Sequence, residues 1–384
     1  MKRYFKLLAL VGIVSASAVS VQAAPEGPST QPVPEKAAKG KPVPDQYIVV
    51  LKESADGQSI ASSAGIQAKH VYKSAIKGFA AKLNAEQLKA LQADPNVAFI
   101  EQDQEVKISN TQYNPPWGLD RIDQQYGLDG AYTSYNQGQG VTAYIIDTGI
   151  ESSHWDFGGR AYNVYDAFGG NGEDCQGHGT HVAGTVGGAT YGVAKQVQLR
   201  GVRVLDCSGS GSWSGVIAGM DWVRINGTRP AVANMSLGGG YSAAVNAAAT
   251  SLSDSGVFTA IAAGNSYGDD ACYYSPASAA GVLTVASSNS SDGHSYYSNG
   301  GSCVEVYAPG ENILSAWIGG GTNTISGTSM ASPHVAGVGA LYKSTYGDTA
   351  SSNVVNWIVG NATPGVISGA TPGTPNRLLY KAGL

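Results

Sequence analysis

The chain has 384 residues, 42% of them hydrophobic and 13% charged, with a formal net charge of −5 at pH 7. That length holds two or three domains and a large buried core. Residues 1–109 carry 13 Lys+Arg against 10 Asp+Glu and residues 110–384 carry 10 against 18, with no basic cluster in the acidic part, which argues against nucleic acid or an anionic membrane as a partner.

The first segment joins Lys2, Arg3 and Lys6 to an apolar stretch from Leu7 to Val14, followed by small residues up to Ala23. This is the pattern of a secretory signal peptide over 1–23, with an apolar part too short to span a bilayer. No later segment is long and apolar enough to anchor the chain, so export without a membrane anchor is expected. Residues 24–44 are proline-rich and almost without apolar side chains, which predicts a linker. A small module follows over 45–109. Tyr47–Lys52 and Gly78–Leu83 read as strands, Ser59–Ala64 as a weak helix, and Val97–Glu101 as a last strand. Asn84 is placed to cap a helix over 85–93, with Gln87 reaching back to it. The alternation predicts a small α+β, ferredoxin-like sandwich of split βαβ type.

From residue 110 the character changes: 46 of the 52 glycines lie beyond this point. Apolar runs recur at 141–147, 199–205, 232–237, 256–264 and 281–287, with helix-length stretches at 212–227 and 243–256 among them. Short buried strands alternating with helices predict an α/β domain over 110–384, a mostly parallel sheet with helices on both faces. Chemistry in such sheets gathers at the C-terminal ends of the strands. The four cysteines, Cys175, Cys207, Cys272 and Cys303, all fall here and allow three pairings. None is spaced as CxxC, which argues against zinc or thiol redox chemistry.

Several residues could carry chemistry. Asp147 ends the run VTAYIID, where a carboxylate can orient a neighbour or merely close a turn. GHGTHVAG (177–184) sets His178 between two glycines; it lacks the third glycine of a dinucleotide fingerprint and is not HExxH. His178 and His181, three apart, allow a metal pair on spacing alone, but no third ligand is near and His181 reads as a packed structural histidine. Asn265 ends IAAGN and is either an oxyanion donor or a turn residue. Ser329 lies in SGTSMASPHVAG, at the mouth of a helix that also contains Pro333. A serine there can be an ordinary cap with proline tolerated in the first turn, or a nucleophile placed where unpaired N–H groups collect. Asp147, His178 and Ser329 occur in the chain order Asp, His, Ser. A serine hydroxyl needs a base, and an imidazole base needs a carboxylate to hold its tautomer.

DTGI, GHGTHVAG, NMSLGGG, IAAGN and GTSMASPHVAG together, in order, resemble the signature blocks of subtilisin-like serine proteases. PWGLDRID (116–123), YYSPASAAGVLTV and APGENILSAW are similar to the branch containing proteinase K and aqualysin, and the likeness covers essentially all of 110–384. It implies a secreted serine endopeptidase with Asp147, His178 and Ser329 as triad and Asn265 as oxyanion donor. It also implies a substrate chain held between Gly209, Ser210 and Gly211 on one side and Ser236, Leu237 and Gly238 on the other. Gly238 and the segment from Ala262 to Gly264 would wall the pocket for the residue before the scissile bond. No charge lies in these segments, so broad apolar-to-aromatic preference is expected; the alternative for the glycine runs is flexible surface loop. The resemblance further implies disulfides Cys175–Cys207 and Cys272–Cys303. It makes 45–109 an inhibitory prodomain, cut off near Ser109–Asn110 by the enzyme itself. No organic cofactor is implied, and a monomer is expected. Asp120, Asp123 and Asp129 read by themselves as solvated surface carboxylates; relatives place structural calcium in this region and near a carboxylate like Glu305, and metal ligands stay unassigned. Two other readings remain: a catalytically dead binding or inhibitory protein, and a metal hydrolase using His178 and His181.

Overall fold

A computed structural model describes residues 35–36, 42–104 and 110–384. The expected signal segment, the linker apart from 35–36 and 42–44, and the junction 105–109 with its expected cut lie outside the described residues. The chain divides into two units, 1–107 and 108–384.

In the smaller unit, strand Pro42–Leu51 runs antiparallel to both Gly78–Lys82 and Val97–Gln104, and His70–Tyr72 pairs with Gly78–Lys82 on the outer side. Helices Gly57–Ser63 and Ala85–Gln92 connect them in the expected split βαβ order. Val49, Phe79, Leu91 and Ile100 form its buried core. Both halves of the Asn84–Gln87 capping box are formed. The linker gives way to strand earlier than expected: Glu35–Lys36 pairs with Ile100–Glu101, and Pro42 opposes Gln104. The register shifts between Pro42 and Tyr47, and proline is tolerated at a strand's first residue and beside such irregularities.

The larger unit is built on seven parallel strands, β1 (Thr142–Asp147), β2 (Ala161–Asp166), β3 (Gln198–Arg203), β4 (Ala231–Met235), β5 (Phe258–Ala262), β6 (Leu283–Ser288) and β7 (Val306–Pro309), in the order β2-β3-β1-β4-β5-β6-β7. Arg377–Leu378 adds a parallel pair beside β7, and Thr363–Pro364 closes that edge antiparallel. The main helices are α1 (His178–Gly187), α2 (Trp213–Asn226), α3 (Ala243–Asp254), α4 (Thr328–Tyr346) and α5 (Ser351–Asn361). Consecutive residues of a strand face opposite sides, so Ile145 of β1 joins Val182 of α1 and Val335 of α4 in one core while Ile146 joins Val216 of α2 and Leu252 of α3 in the other. Val335, Val338 and Leu341 are fully buried, each worth about 1.5–3 kcal/mol relative to exposure. α4 is the central helix of its layer because small residues let it lie close: a Cβ on Gly339 would stand 2.3 Å from the Phe258 ring. This packing brings the N-termini of α1 and α4 to the C-terminal ends of β1, β4 and β5.

Candidate active site

Asp147 is the last residue of β1 and has no exposed surface. Its Oδ1 accepts the Thr148 N–H at 2.7 Å and lies 2.8 Å from His178 Nδ1. A carboxylate can only accept here, so Nδ1 carries the proton and Nε2 keeps a free lone pair. His178 begins α1, and its first-turn amides are taken by side chains from elsewhere: its own N–H by Gln176 Oε1 at 2.7 Å, that of Gly179 by Thr148 Oγ1 at 2.9 Å and that of Thr180 by Asp174 Oδ2 at 2.9 Å. The preceding Gly177 has φ +110°, and a Cβ there would lie 2.5 Å from the Trp317 ring, so glycine is required on both counts. Burial works against a charged His178 imidazolium. The Asp147 carboxylate, with Asp174 behind it, outweighs that and holds the His178 pKa above the ordinary histidine value.

Ser329 is the second residue of α4. Its hydroxyl donates to the backbone carbonyl of Ser236 at 3.2 Å, so in this resting geometry it is turned to that carbonyl and not bonded to His178. Asn265, three residues beyond β5, has its carbonyl oxygen held by the Thr328 N–H at 2.9 Å and the Thr328 hydroxyl at 3.0 Å. That fixes which end of the amide points away, leaving Nδ2 as an available donor near the helix start. The Ser329 N–H has no hydrogen-bond partner among the described residues. Two donors and a hydroxyl thus converge at one helix N-terminus.

An open cleft of about 770 Å³ runs past His178, lined on one side by Gly209, Ser210 and Gly211 and on the other by Ser236, Leu237 and Gly238. It adjoins a pocket of about 220 Å³ bounded by Gly238, Ala262, Gly264, Asn265 and Ser329. All the residues singled out for substrate binding therefore meet in two adjoining cavities. Tyr274, Ser275 and Ala277 also line the smaller pocket, beyond what the sequence motifs indicate. No charged side chain lines it. Thr328 and Asn234 are two further residues of the site that the sequence reading misses. A signal for Asn234 exists: an amide inside the apolar run VANMSL, buried at 1% exposure, must have polar partners.

The proline of the opening helix motif sits deeper than a first turn, as the sixth residue of α4. His181 is fully buried, with Nε2 between the carbonyls of Ile313 (3.0 Å) and Asn323 (3.2 Å), and burial pushes its pKa down to about 4. It ties α1 to the hairpin Ile313–Trp317/Gly321–Ile325. Disulfides join Cys175 to Cys207 and Cys272 to Cys303. The first links the loop before His178 to the loop that supplies Gly209–Gly211.

Asp120, Asp123 and Asp129 are not three solvated surface groups. One oxygen of each lies within 4.8 Å of the others, Asp120 is buried and Asp123 is half-buried. Asp120 is held by the N–H groups of Asp129 and Gly130, whereas Asp123 Oδ1 is buried with no partner. Burial raises the Asp123 pKa to about 6. Among the described residues this is the one group of three or more acidic, histidine or cysteine side chains able to share an ion; Glu305 and the pair His178/His181 are in none. Glu305 accepts the Thr284 N–H, and burial raises its pKa to about 7.

Residues 138–383 match the Subtilase family and residues 46–109 match the Peptidase inhibitor I9 family. The chain belongs to the subtilases: it is a subtilisin-like serine protease of the proteinase K type, preceded by an inhibitor prodomain. It is 50% identical to Alkaline serine exoprotease A of Vibrio alginolyticus, over 88% of this chain and 67% of that one. It is 46% identical to the Extracellular serine proteinase of Thermus sp. (strain Rt41A), over 97% of both chains, and 46% identical to Proteinase R of Parengyodontium album, over 91% and 92%. A crystal structure of a cold-adapted subtilisin-like serine proteinase, 52% identical, matches 70% of this chain and 98% of its own with a TM-score of 0.68.

Proposed function

We propose that the enzyme is a secreted endopeptidase of broad specificity in which Ser329 is the nucleophile, His178 the general base and then acid, and Asp147 the group that holds His178 in one tautomer. The Ser329 hydroxyl turns from the Ser236 carbonyl to His178 Nε2, gives up its proton there and attacks the peptide carbonyl. Oxygen charge develops between the Asn265 side-chain amide and the Ser329 N–H. His178 returns the proton to the leaving amine, and water repeats the sequence to free the acyl group. The observation that carries this reading is the 2.8 Å bond that leaves His178 Nε2 as acceptor, in a cleft continuous with the Asn265–Ser329 donor pair.

The substrate lies extended between Gly209–Gly211 and Ser236–Gly238, pairing through its backbone in strand-addition fashion. The uncharged pocket beside Ala262 and Gly264 takes an apolar or aromatic side chain before the scissile bond. Residues 1–23 direct export, and among the described residues no helix is long and apolar enough to cross a membrane. Residues 45–109 keep the precursor silent until the enzyme cuts near Ser109–Asn110. The test is labelling of the purified mature enzyme by an active-serine phosphonate. Full labelling of the parent is expected, with none in Ser329→Ala, which should also accumulate as uncut precursor. Peptidase activity in an unlabelled parent would sink the assignment.

Asp120, Asp123 and Asp129 fit a calcium ion, since three hard oxygen donors converge and one of them is buried without a partner. Asp120, Asp123 and Asp129 would hold the ion, which would offset most of their charge and tie helix Trp117–Ile122 to the segment that follows it, with no part in peptide hydrolysis. Chelation should lower the thermal midpoint while leaving the initial rate at low temperature unchanged. An unchanged midpoint would remove calcium from this cluster.

A further inference from the structure

The nucleophile's own carbonyl poses a problem that the helix does not solve. In α4 the acceptor of Ser329 would be served by the N–H four residues on, but that residue is Pro333, which has none and whose ring crowds the same carbonyl. A carbonyl freed this way inside a buried helix needs another donor. The Ser236 hydroxyl supplies it, at 2.7 Å, from 93 residues away in the chain. Ser236 directly follows β4 and is itself held: Asn234 Nδ2 donates to its Oγ at 2.8 Å, and Asn234 Oδ1 accepts the Ser332 hydroxyl at 2.7 Å. Exposure along this chain is 4% at Ser236, 1% at Asn234 and 0% at Ser332. Its direction is forced. Because the Asn234 amide donates to Ser236 Oγ, the single Ser236 proton goes to the Ser329 carbonyl.

We propose that the Ser236 side chain is a positioning residue for the nucleophile, with Asn234 and Ser332 behind it. By gripping the Ser329 carbonyl in the gap left by Pro333, it fixes the rotation of the Ser329 backbone and hence the Cα–Cβ bond from which Oγ swings to His178. This rests on the triad reading above. The work of Ser236 divides between two groups: its backbone carbonyl faces the cleft and the Ser329 hydroxyl, and its side chain holds the far side of the same residue. An alanine at 236 keeps the first and removes the second. Displacements well under a bond length matter here, since a misplacement of about 1 Å can cost about 100-fold in rate.

The experiment compares the mature parent with Ser236→Ala, Ser236→Thr, Pro333→Ala and the double variant Ser236→Ala/Pro333→Ala, each normalised to phosphonate-titrated sites. Ser236→Ala should lose about 10- to 100-fold in kcat with KM within about twofold and the acid limb of its pH profile unmoved. Ser236→Thr, which keeps the hydroxyl, should recover most of that loss. Pro333→Ala restores the missing N–H, so in that background Ser236→Ala should cost less than about threefold, in line with one substituted hydrogen bond. If Ser236→Ala does not mature, Ser236→Cys, a weak donor of similar size, makes the same comparison. An Ala variant with the parent's kcat, or the same loss whether Pro333 is kept or replaced by alanine, overturns the proposal while leaving the triad standing. A parent that titrates with no phosphonate at all overturns the triad, and this proposal with it.

Discussion

Four of the main helices of the larger unit start in two ways, while α5 simply follows Ala350 with no side-chain cap. α2 and α3 follow Ser212 and Ser242, whose hydroxyls accept the N–H groups of Gly215 and Val245. α1 and α4, which carry His178 and Ser329, follow Gly177 and Gly327 and have no side-chain cap. A capping serine is typically worth about 1 kcal/mol, and its oxygen takes the N–H of the second or third helical residue. In α4 those residues are Ser329 and Met330. Both serine caps here take the third residue's N–H, so a cap at 327 would take that of Met330 or compete for that of Ser329, the proposed oxyanion donor. In α1 the corresponding amides, of Gly179 and Thr180, are bonded instead to Thr148 and Asp174, side chains from the strand end and the loop around His178. α2 and α3 close their own ends; α5 goes without a side-chain cap, and α1 and α4 leave their first amides to side chains from elsewhere in the chain.

The contrast can be tested from its most sensitive end. Asp147→Asn should reduce kcat by about 10⁴, the size of the effect for the equivalent change in a protease with the same triad logic. Its pH profile should move as well. The Asp147 carboxylate holds the His178 pKa up, and the base works only when neutral, so the parent's acid limb lies above the ordinary histidine value and should fall in the variant. The stabilisation from this pair follows the same sign: it is fully present below about pH 6.5 and is lost as pH rises through the folded pKa. Chemical denaturation at two pH values should show the parent's advantage over Asp147→Asn shrinking toward alkaline pH.

Gly327→Ser should lower kcat by about tenfold, a fraction of the loss from deleting an oxyanion donor, with stability unchanged or slightly raised. The backbone at 327 is extended and a Cβ there would meet only ordinary contacts, the nearest being Asn265 Nδ2 at 3.5 Å, so Gly327→Ala is the control that separates the added carbon from competition for the amide. No change in kcat would break the contrast drawn for α4. Ser242→Ala, at the cap of a helix that carries none of the proposed catalytic residues, should cost about 1 kcal/mol of unfolding free energy by denaturant titration and leave kcat within about twofold.

The strands with long apolar runs, β1, β4, β5 and β6, are legible in the sequence because burial on both faces leaves an unbroken signal. β2 is not: AYNVYD is half polar, as suits the outer strand of the sheet. β7 has only four residues and ends in proline. At the site, Asp147, His178, Asn265 and Ser329 can be found because each lies at or within a few residues of an element's end, with small neighbours that mark a close approach. Thr328 escapes notice because its value lies in the amide 63 residues away that it turns. The role of Ser236 depends on a proline in another element, and local pattern carries nothing of that kind. The three aspartates near Asp120 look solvated in the sequence because burial of a short acidic segment is decided by what folds over it.

The bridge between Cys175 and Cys207 has a consequence for how long the enzyme lasts. A protease that grips extended chains is always surrounded by one polypeptide at its own concentration, namely other copies of itself. What protects those copies is the rarity with which a surface loop frays far enough to lie straight in a neighbour's cleft. The loops before His178 and around Gly209 are glycine-rich and border the working groove, which makes them the natural places for such fraying. Pinned to each other, neither can straighten without the other. Where such self-cleavage limits the enzyme, its lifetime follows how slowly this part of the molecule opens, a kinetic property that a melting temperature does not report.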